Sequence, residues 1–183
     1  MGNKHKRSRT AEHREKLLEA TDQNNRLLGY LTASTVQAQK LAHRKLVILI
    51  GDECGHMFFR LHNESCLSLP LVRSHLAGQV FADFAAEILL AENFSPFSRL
   101  QDLGYLSCPV SHSLRIFYVR MAHSLLIRRI TARQDGLLLD ADELRGLQKT
   151  AEISVDDLLQ TLLAHQLFAP FLEGQTFPPA TLS

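Results

Sequence analysis

The chain has 183 residues, 45% hydrophobic and 21% charged, a balance that suits one soluble domain with a substantial core. Lysine and arginine number 20 against 19 acids, a formal net charge of +1, which argues against a general binder of nucleic acid. No apolar run approaches the roughly 18 residues of a membrane span. Cys54, Cys66 and Cys108 have no C-x-x-C spacing, which argues for reduced thiols in a cytoplasm and against a disulfide framework or a zinc ribbon.

Residues 1–9 read as a basic, solvated tail without the apolar segment of a secretory signal. Lys6 also breaks the myristoylation pattern. Thr10 is placed to cap a short helix over Ala11–Ala20, with Glu12 four residues before Lys16. Asp22–Asn25 predicts a turn. Arg26–Tyr30 then predicts a short strand, and Ser34–Leu41 a helical turn. Lys45–Ile50 and His56–Leu61 are β-rich runs around a Gly/Asp turn, a hairpin-like unit. Residues 62–74, with Pro70, read as irregular.

Phe81–Ala91 predicts a helix with Phe81, Phe84, Ala85, Ile88 and Leu89 on one face. Leu100–Leu106 and Ser113–Ala122 read as paired strands, and Ser124–Thr131 as a third, short one. Asp140–Leu144 opens a helix with acid in its first turn, where the helix dipole favours it. Ser154 is the expected N-cap of a further helix reaching about Phe168. Residues 173–183 read as a tail rich in Pro and Gly. Strands, one helix, more strands and then helices make an α+β order, without the strict alternation of a doubly wound sheet.

Several segments, taken in this order, resemble a known family. Thr21–Gly29 looks like an opening strand and turn, and Leu41–Lys45 like a short His-Arg segment before the first core strand. Gly51–Arg60 looks like a strand-turn-strand ending in arginine. Ser74–Gly78 is similar to a Gly-His-Val-x-x-Gly approach, one residue shorter. Leu103-Gly104 with the Arg115–Met121 strand follows, and Leu139–Leu144 leads into the final helices. The order resembles the Nudix hydrolase superfamily in its isopentenyl-diphosphate-isomerase-like branch. The resemblance implies an α/β/α sandwich with a mixed β-sheet between helices over residues 21–172. Residues 1–20 would form an extension with a short helix, and 173–183 a tail.

The resemblance also implies a box, G-x5-E-x7-R-E-U-x-E-E-x-G-U, whose carboxylates hold Mg²⁺ or Mn²⁺ against a diphosphate. Asp83 comes within reach of the first acidic position after Gly78, and with the R-E-U-x-E-E-x-G core laid on Glu87–Phe94, five residues closer to the glycine than the box spacing, Glu87 falls on the arginine. Ile88 and Ala91 take the places of core glutamates, Glu92 keeps the last, and Phe94 replaces a glycine. Hard divalent ions want several oxygen ligands. Glu92 lies five residues beyond Glu87, about 140° around a helix, so these carboxylates do not readily converge. The plain alternative is that Asp83, Glu87 and Glu92 form the solvated side of an amphipathic helix.

In the isomerases of the branch a cysteine, histidines and glutamates carry the chemistry. Arg73 stands in the cysteine's place, and Val110 and His112 where glutamates would precede the later strand, which argues against isomerase activity. His43 and His75 match family histidines, so His43, His75 and His112 are an alternative metal set of a kind that suits Zn²⁺. Ordinary hydrogen-bonding histidines at loop ends are the competing reading. Arg44, Arg60 and Arg73 are candidates to line a phosphate pocket, because guanidinium grips phosphate bidentately.

Two functions stay open on the sequence. One is a non-catalytic or weakly active binder of a nucleotide, another phosphorylated ligand or a protein partner, with a homodimer among the options. The other is a divalent-metal-dependent hydrolase of nucleoside diphosphate derivatives, with Glu87 and Glu92 as its catalytic carboxylates.

Overall fold

The computed structural model describes residues 16–22, 24–94, 100–108, 112–132, 135–150, 153–165 and 168–173. The basic tail, the Thr10 cap, Val110 and most of the C-terminal tail lie outside the described residues, and His112 is placed by its backbone alone.

The framework is a mixed sheet built around β3 (His43–Asp52). One edge of β3 is taken along its whole length by β8 (His112–Met121), in parallel from His43↔His112 to Asp52↔Met121. The other edge is shared. β1 (Leu17–Thr21) touches its start, β6 (Leu71–Ser74) runs antiparallel along Lys45–Ile48, and β4 (Met57–His62) meets its end at Gly51. β2 (Leu27–Thr32) pairs with β1, and β7 (Leu100–Cys108) pairs antiparallel with β8. β5 (Cys66–Ser68) and β9 (Gly136–Leu139) pair with β4, and β10 (Ser154–Val155) runs parallel to β5.

The period-two alternation of β3 splits the core in two. Leu46, Ile48 and Ile50 face α2 (Phe81–Ala91) and α3 (His123–Thr131) through Ala85, Ile88, Leu89, Leu126 and Ile130. Val47 and Leu49 face the opposite layer, where Leu144 of α4 (Ala141–Lys149) and Leu159 and Leu162 of α5 (Asp157–Leu163) pack with Phe168 and Phe171. Phe171 belongs to α6 (Ala169–Leu172). Helices therefore cover both faces of a mixed sheet, the expected α+β sandwich. The short α1 (Ala33–Ala38) follows β2 and is capped by Thr32, whose side chain accepts from the Thr35 amide. No helix among the described residues is long and apolar enough to cross a membrane.

Four local expectations are corrected. Leu17–Ala20 is strand, not helix: the helix-friendly Leu-Leu-Glu-Ala run is overridden by pairing with β2, and Leu18 and Ala20 are buried. Residues 62–74 are not irregular but hold β5 and β6, strands too short to show a period, with Pro70 between them where no ladder hydrogen bond is needed. Residues 124–131 form α3 and not a third strand, because both edges of β8 are already taken by β3 and β7. Leu126 and Ile130, one helical turn apart, bury together, and Arg128 and Arg129 sit at the favourable C-terminal end. Ser154 does not cap α5. It lies in β10 and donates to the Ser65 carbonyl, and Asp156 caps the helix by accepting from the Leu159 amide at 2.6 Å.

Elsewhere local chemistry and structure agree. Asp22 accepts from the Asn24 and Arg26 amides at 2.9 and 2.8 Å and so builds the β1–β2 turn. Asp140 caps α4 in a capping box with Glu143.

Candidate functional site

Gly78 adopts φ +79°, a left-handed conformation that an L residue rarely takes, and so turns the chain into α2. The helix buries Ala85, Ile88 and Leu89 and leaves Asp83 and Glu87 exposed. Glu92 is the C-cap residue of the helix. Arg73 of β6 donates to its Oε1 at 2.8 Å, and Arg60 of β4 donates to Oε2 at 3.4 Å. Arg60 also lies 3.6 Å from an Asp135 oxygen. Two permanent cations thus enclose the Glu92 carboxylate at the C-cap of α2. Arg44, the third arginine candidate, is elsewhere: it donates to Glu19 at 2.7 Å and to the Asn25 side chain at 3.3 Å.

The backbones of the three histidine candidates meet at the start of β3. His43 is in register with His112, and the His75 amide donates to the Arg44 carbonyl at 2.9 Å. His43 Nε2 lies 3.0 Å from Ser74 Oγ. His75 is only 1% exposed and stacks on Phe81 with ring centroids 3.6 Å apart. Its Nδ1 lies 3.5 Å from Glu19 Oε2, at the limit of a hydrogen bond. Burial pushes both the His43 and His75 rings below the ordinary histidine value of 6.5, which favours the neutral imidazole. These contacts place His75 as a packed ring between the end of β6, α2 and β1.

A further group, which in the sequence alone shows only as the Gly/Asp turn, forms at the far end of β3. Asp52 ends the strand with its side chain fully buried. Its Oδ1 accepts from the Cys54 and His56 amides at 2.8 and 2.9 Å, and Gly55, at φ +91°, lets the turn close. Its Oδ2 lies 3.0 Å from His56 Nδ1 and 2.6 Å from His123 Nδ1. His123 opens α3, and its amide donates to the neighbouring Glu53 carboxylate at 2.9 Å. Burial pushes the Asp52 carboxyl up, but the hydrogen bonds from His123, His56 and Cys54 outweigh it and hold it below the ordinary value of 3.8.

Asp52, Cys54, His56 and His123 each bring one ligand atom within 4.8 Å of all the others. Among the described residues this is the group of His, Cys, Asp and Glu side chains that gathers as a metal ion would require, and Asp83, Glu87 and Glu92 are not part of it. The signal in the sequence was the D-x-C-x-H run at Asp52–His56. Its fourth member, His123, lay next to a segment read as a strand.

The fold is similar to that of the Deinococcus radiodurans protein DR0079, at 12% identity, with 81% of this chain and 97% of the other covered and a TM-score of 0.62. A MutT/Nudix family protein from Listeria innocua is also similar, at 14% identity over 66% of this chain and 91% of its own, with a TM-score of 0.48. No protein-family model matches the chain, and no curated protein matches it in sequence. At 12% identity the Deinococcus likeness is one of architecture: a mixed sheet between helix layers.

Proposed function

We propose that the chain is a Nudix-type module with a degraded metal-binding box, non-catalytic or weakly active, that binds a phosphorylated ligand. The observation that carries this reading is the position of Glu92 between Arg73 and Arg60. The residues present do not fit Mg²⁺ or Mn²⁺ at the box. A hard dication there would face two guanidiniums, and Asp83 and Glu87 stand on exposed turns of α2 instead of closing around it. The same arginine pair suits an anion, and Glu92 then acts as an internal carboxylate that a phosphate displaces. Arg73, in the place of the isomerase branch's cysteine, is committed to this pair, which leaves isomerase chemistry without its proton donor.

A thermal-shift titration with inorganic pyrophosphate, run with and without Mg²⁺, tests the reading. Stabilisation that needs no metal and is lost in Arg73→Ala is the expected result. Turnover of nucleoside diphosphate derivatives with Mg²⁺ or Mn²⁺ at ordinary rates, on the order of 1 s⁻¹ or faster, would return the hydrolase reading.

A protein partner is favoured by a separate observation. β2 pairs only with β1 among the described residues, and it exposes Leu28 at 65% and Tyr30 at 53%. An apolar strand with an unpaired edge is a template for strand addition, including by a second copy of this chain. Sedimentation of the protein across a concentration series, compared with Leu28→Lys, distinguishes a homodimer from a monomer. The free thiols Cys54 and Cys66 fit a cytoplasmic setting.

A further inference from the structure

We propose that Asp52, Cys54, His56 and His123 form a four-ligand site for Zn²⁺ that ties the β3–β4 turn to the N-terminus of α3. The donor set is one carboxylate, one thiol and two imidazoles, the mixed N/S/O chemistry that zinc prefers and Mg²⁺ does not. With the thiol ionised and both rings neutral, the ligands carry two negative charges, which balance the dication.

The geometry is close to what the ion needs. Zinc bonds of about 2.0–2.3 Å in a tetrahedron place ligand atoms roughly 3.3–3.8 Å apart. The two histidine nitrogens lie 3.0 and 2.6 Å from Asp52 Oδ2, and no pair of ligand atoms in the group exceeds 4.8 Å. The rings of His56 and His123 stand 5.3 Å apart at 38°, both turned toward the same carboxylate. Cys54 is exposed on the turn, and its Sγ already lies within 4.8 Å of the other three ligand atoms.

The ligands are also held from behind. Asp52 Oδ1 is fixed by the Cys54 and His56 amides, and Glu53 grips the His123 amide. Backbone hydrogen bonds of this kind orient ligands and lower the ordering cost of binding.

The site is separate from the box. Arg73 lies opposite Leu46 in the β3–β6 register, and Asp52 is six residues further along β3, roughly 20 Å away. It therefore stands or falls independently of the phosphate-binding reading. Four protein ligands leave no open coordination position, so the ion is structural: it cross-links two segments about 70 residues apart in sequence, as His123 and Asp52 already do by hydrogen bond.

The test is titration of untagged, chelator-stripped protein with Zn²⁺ against a chromophoric chelator, paired with Co²⁺ absorption spectra. The expected result is one tight equivalent per chain, a tetrahedral cobalt spectrum with a thiolate charge-transfer band, and a higher melting temperature with zinc. Cys54→Ser should abolish the thiolate band. Cys54→Ser and His123→Ala should each weaken zinc binding at least about tenfold, because even removing a residue behind a ligand costs that much. His62→Ala, an exposed histidine outside the group, should leave binding unchanged. Far-UV circular dichroism of the zinc-free variants checks that they fold. Zinc binding that is absent, or equally strong in the Cys54→Ser/His123→Ala double variant, would overturn the proposal.

Discussion

The two ends of the central sheet hold a carboxylate in opposite ways. At the C-cap of α2, Glu92 is met by Arg60 and Arg73, cations that do not give up their charge near neutral pH. At the β3–β4 corner, Asp52 is met by imidazoles and backbone amides, with a thiol nearby. Imidazole and thiol can each release a proton and become a ligand, whereas guanidinium cannot. A carboxylate therefore does not make a metal site by its presence. Its neighbours decide whether it is already neutralised or still able to share a cation.

The comparison is broken most directly at Asp52. In chelator, Asp52→Ala should lower unfolding free energy by about 2–3 kcal/mol, because it removes a buried carboxylate and leaves part-buried donors on two segments without their acceptor. Urea denaturation measures this, and a loss below about 1 kcal/mol would mean that the corner is not organised around the carboxylate. Gly51→Ala comes next. Its Cβ would sit 2.7 Å from Tyr118 Oη and 3.0 Å from the His56 carbonyl, so the Tyr118 ring must move and the turn must give by a few tenths of an ångström. A cost of about 2 kcal/mol and weaker zinc binding are expected.

A third, smaller effect depends on pH. The folded-state values of His43 and His75 lie below 6.5, so the unfolded chain binds more protons just below that pH. Their contribution is fully present above 6.5 and is lost as pH falls from there through the folded values, by at most about 1.4 kcal/mol per pH unit for each group. Melting temperatures between pH 7 and pH 5 should fall less steeply in His75→Phe than in the wild type. An unchanged slope would place the buried ring's protonation elsewhere.

The smallest effect belongs to the acidic residues of α2 and its C-cap. Asp83→Asn and Glu87→Gln should each change stability by less than about 0.5 kcal/mol and leave metal binding untouched. Glu92→Gln should cost about 1 kcal/mol or less, since its partners are partly solvated, while tightening pyrophosphate binding. A metal affinity that depends on Asp83 or Glu87 would erase the contrast between the two ends.

The parts of the fold legible from local chemistry were those where one stretch of chain carries its own signal. The α2 boundaries follow from Gly78 and the spacing of the buried residues, and α4 follows from Asp140 and Glu143. The β7–β8 pairing follows from two long apolar runs. What failed depended on partners. Leu17–Ala20 and the pair β5 and β6 are strands because neighbours offer them edges, and α3 is a helix because no edge was left for it.

The sites divide in the same way. The sequence by itself determined which charges α2 carries and where they lie around it, because helical spacing turns a residue count into an angle. It could not determine that Arg60 and Arg73 close on Glu92, since those residues come from two different strands. Nor could it bring His123 to Asp52. That approach exists because the parallel β3–β8 pair ends at Asp52↔Met121, which delivers the next helix, two residues on, to the β3–β4 turn. Contacts between residues distant in sequence are set by the register of the sheet, and only the tertiary structure decides that register.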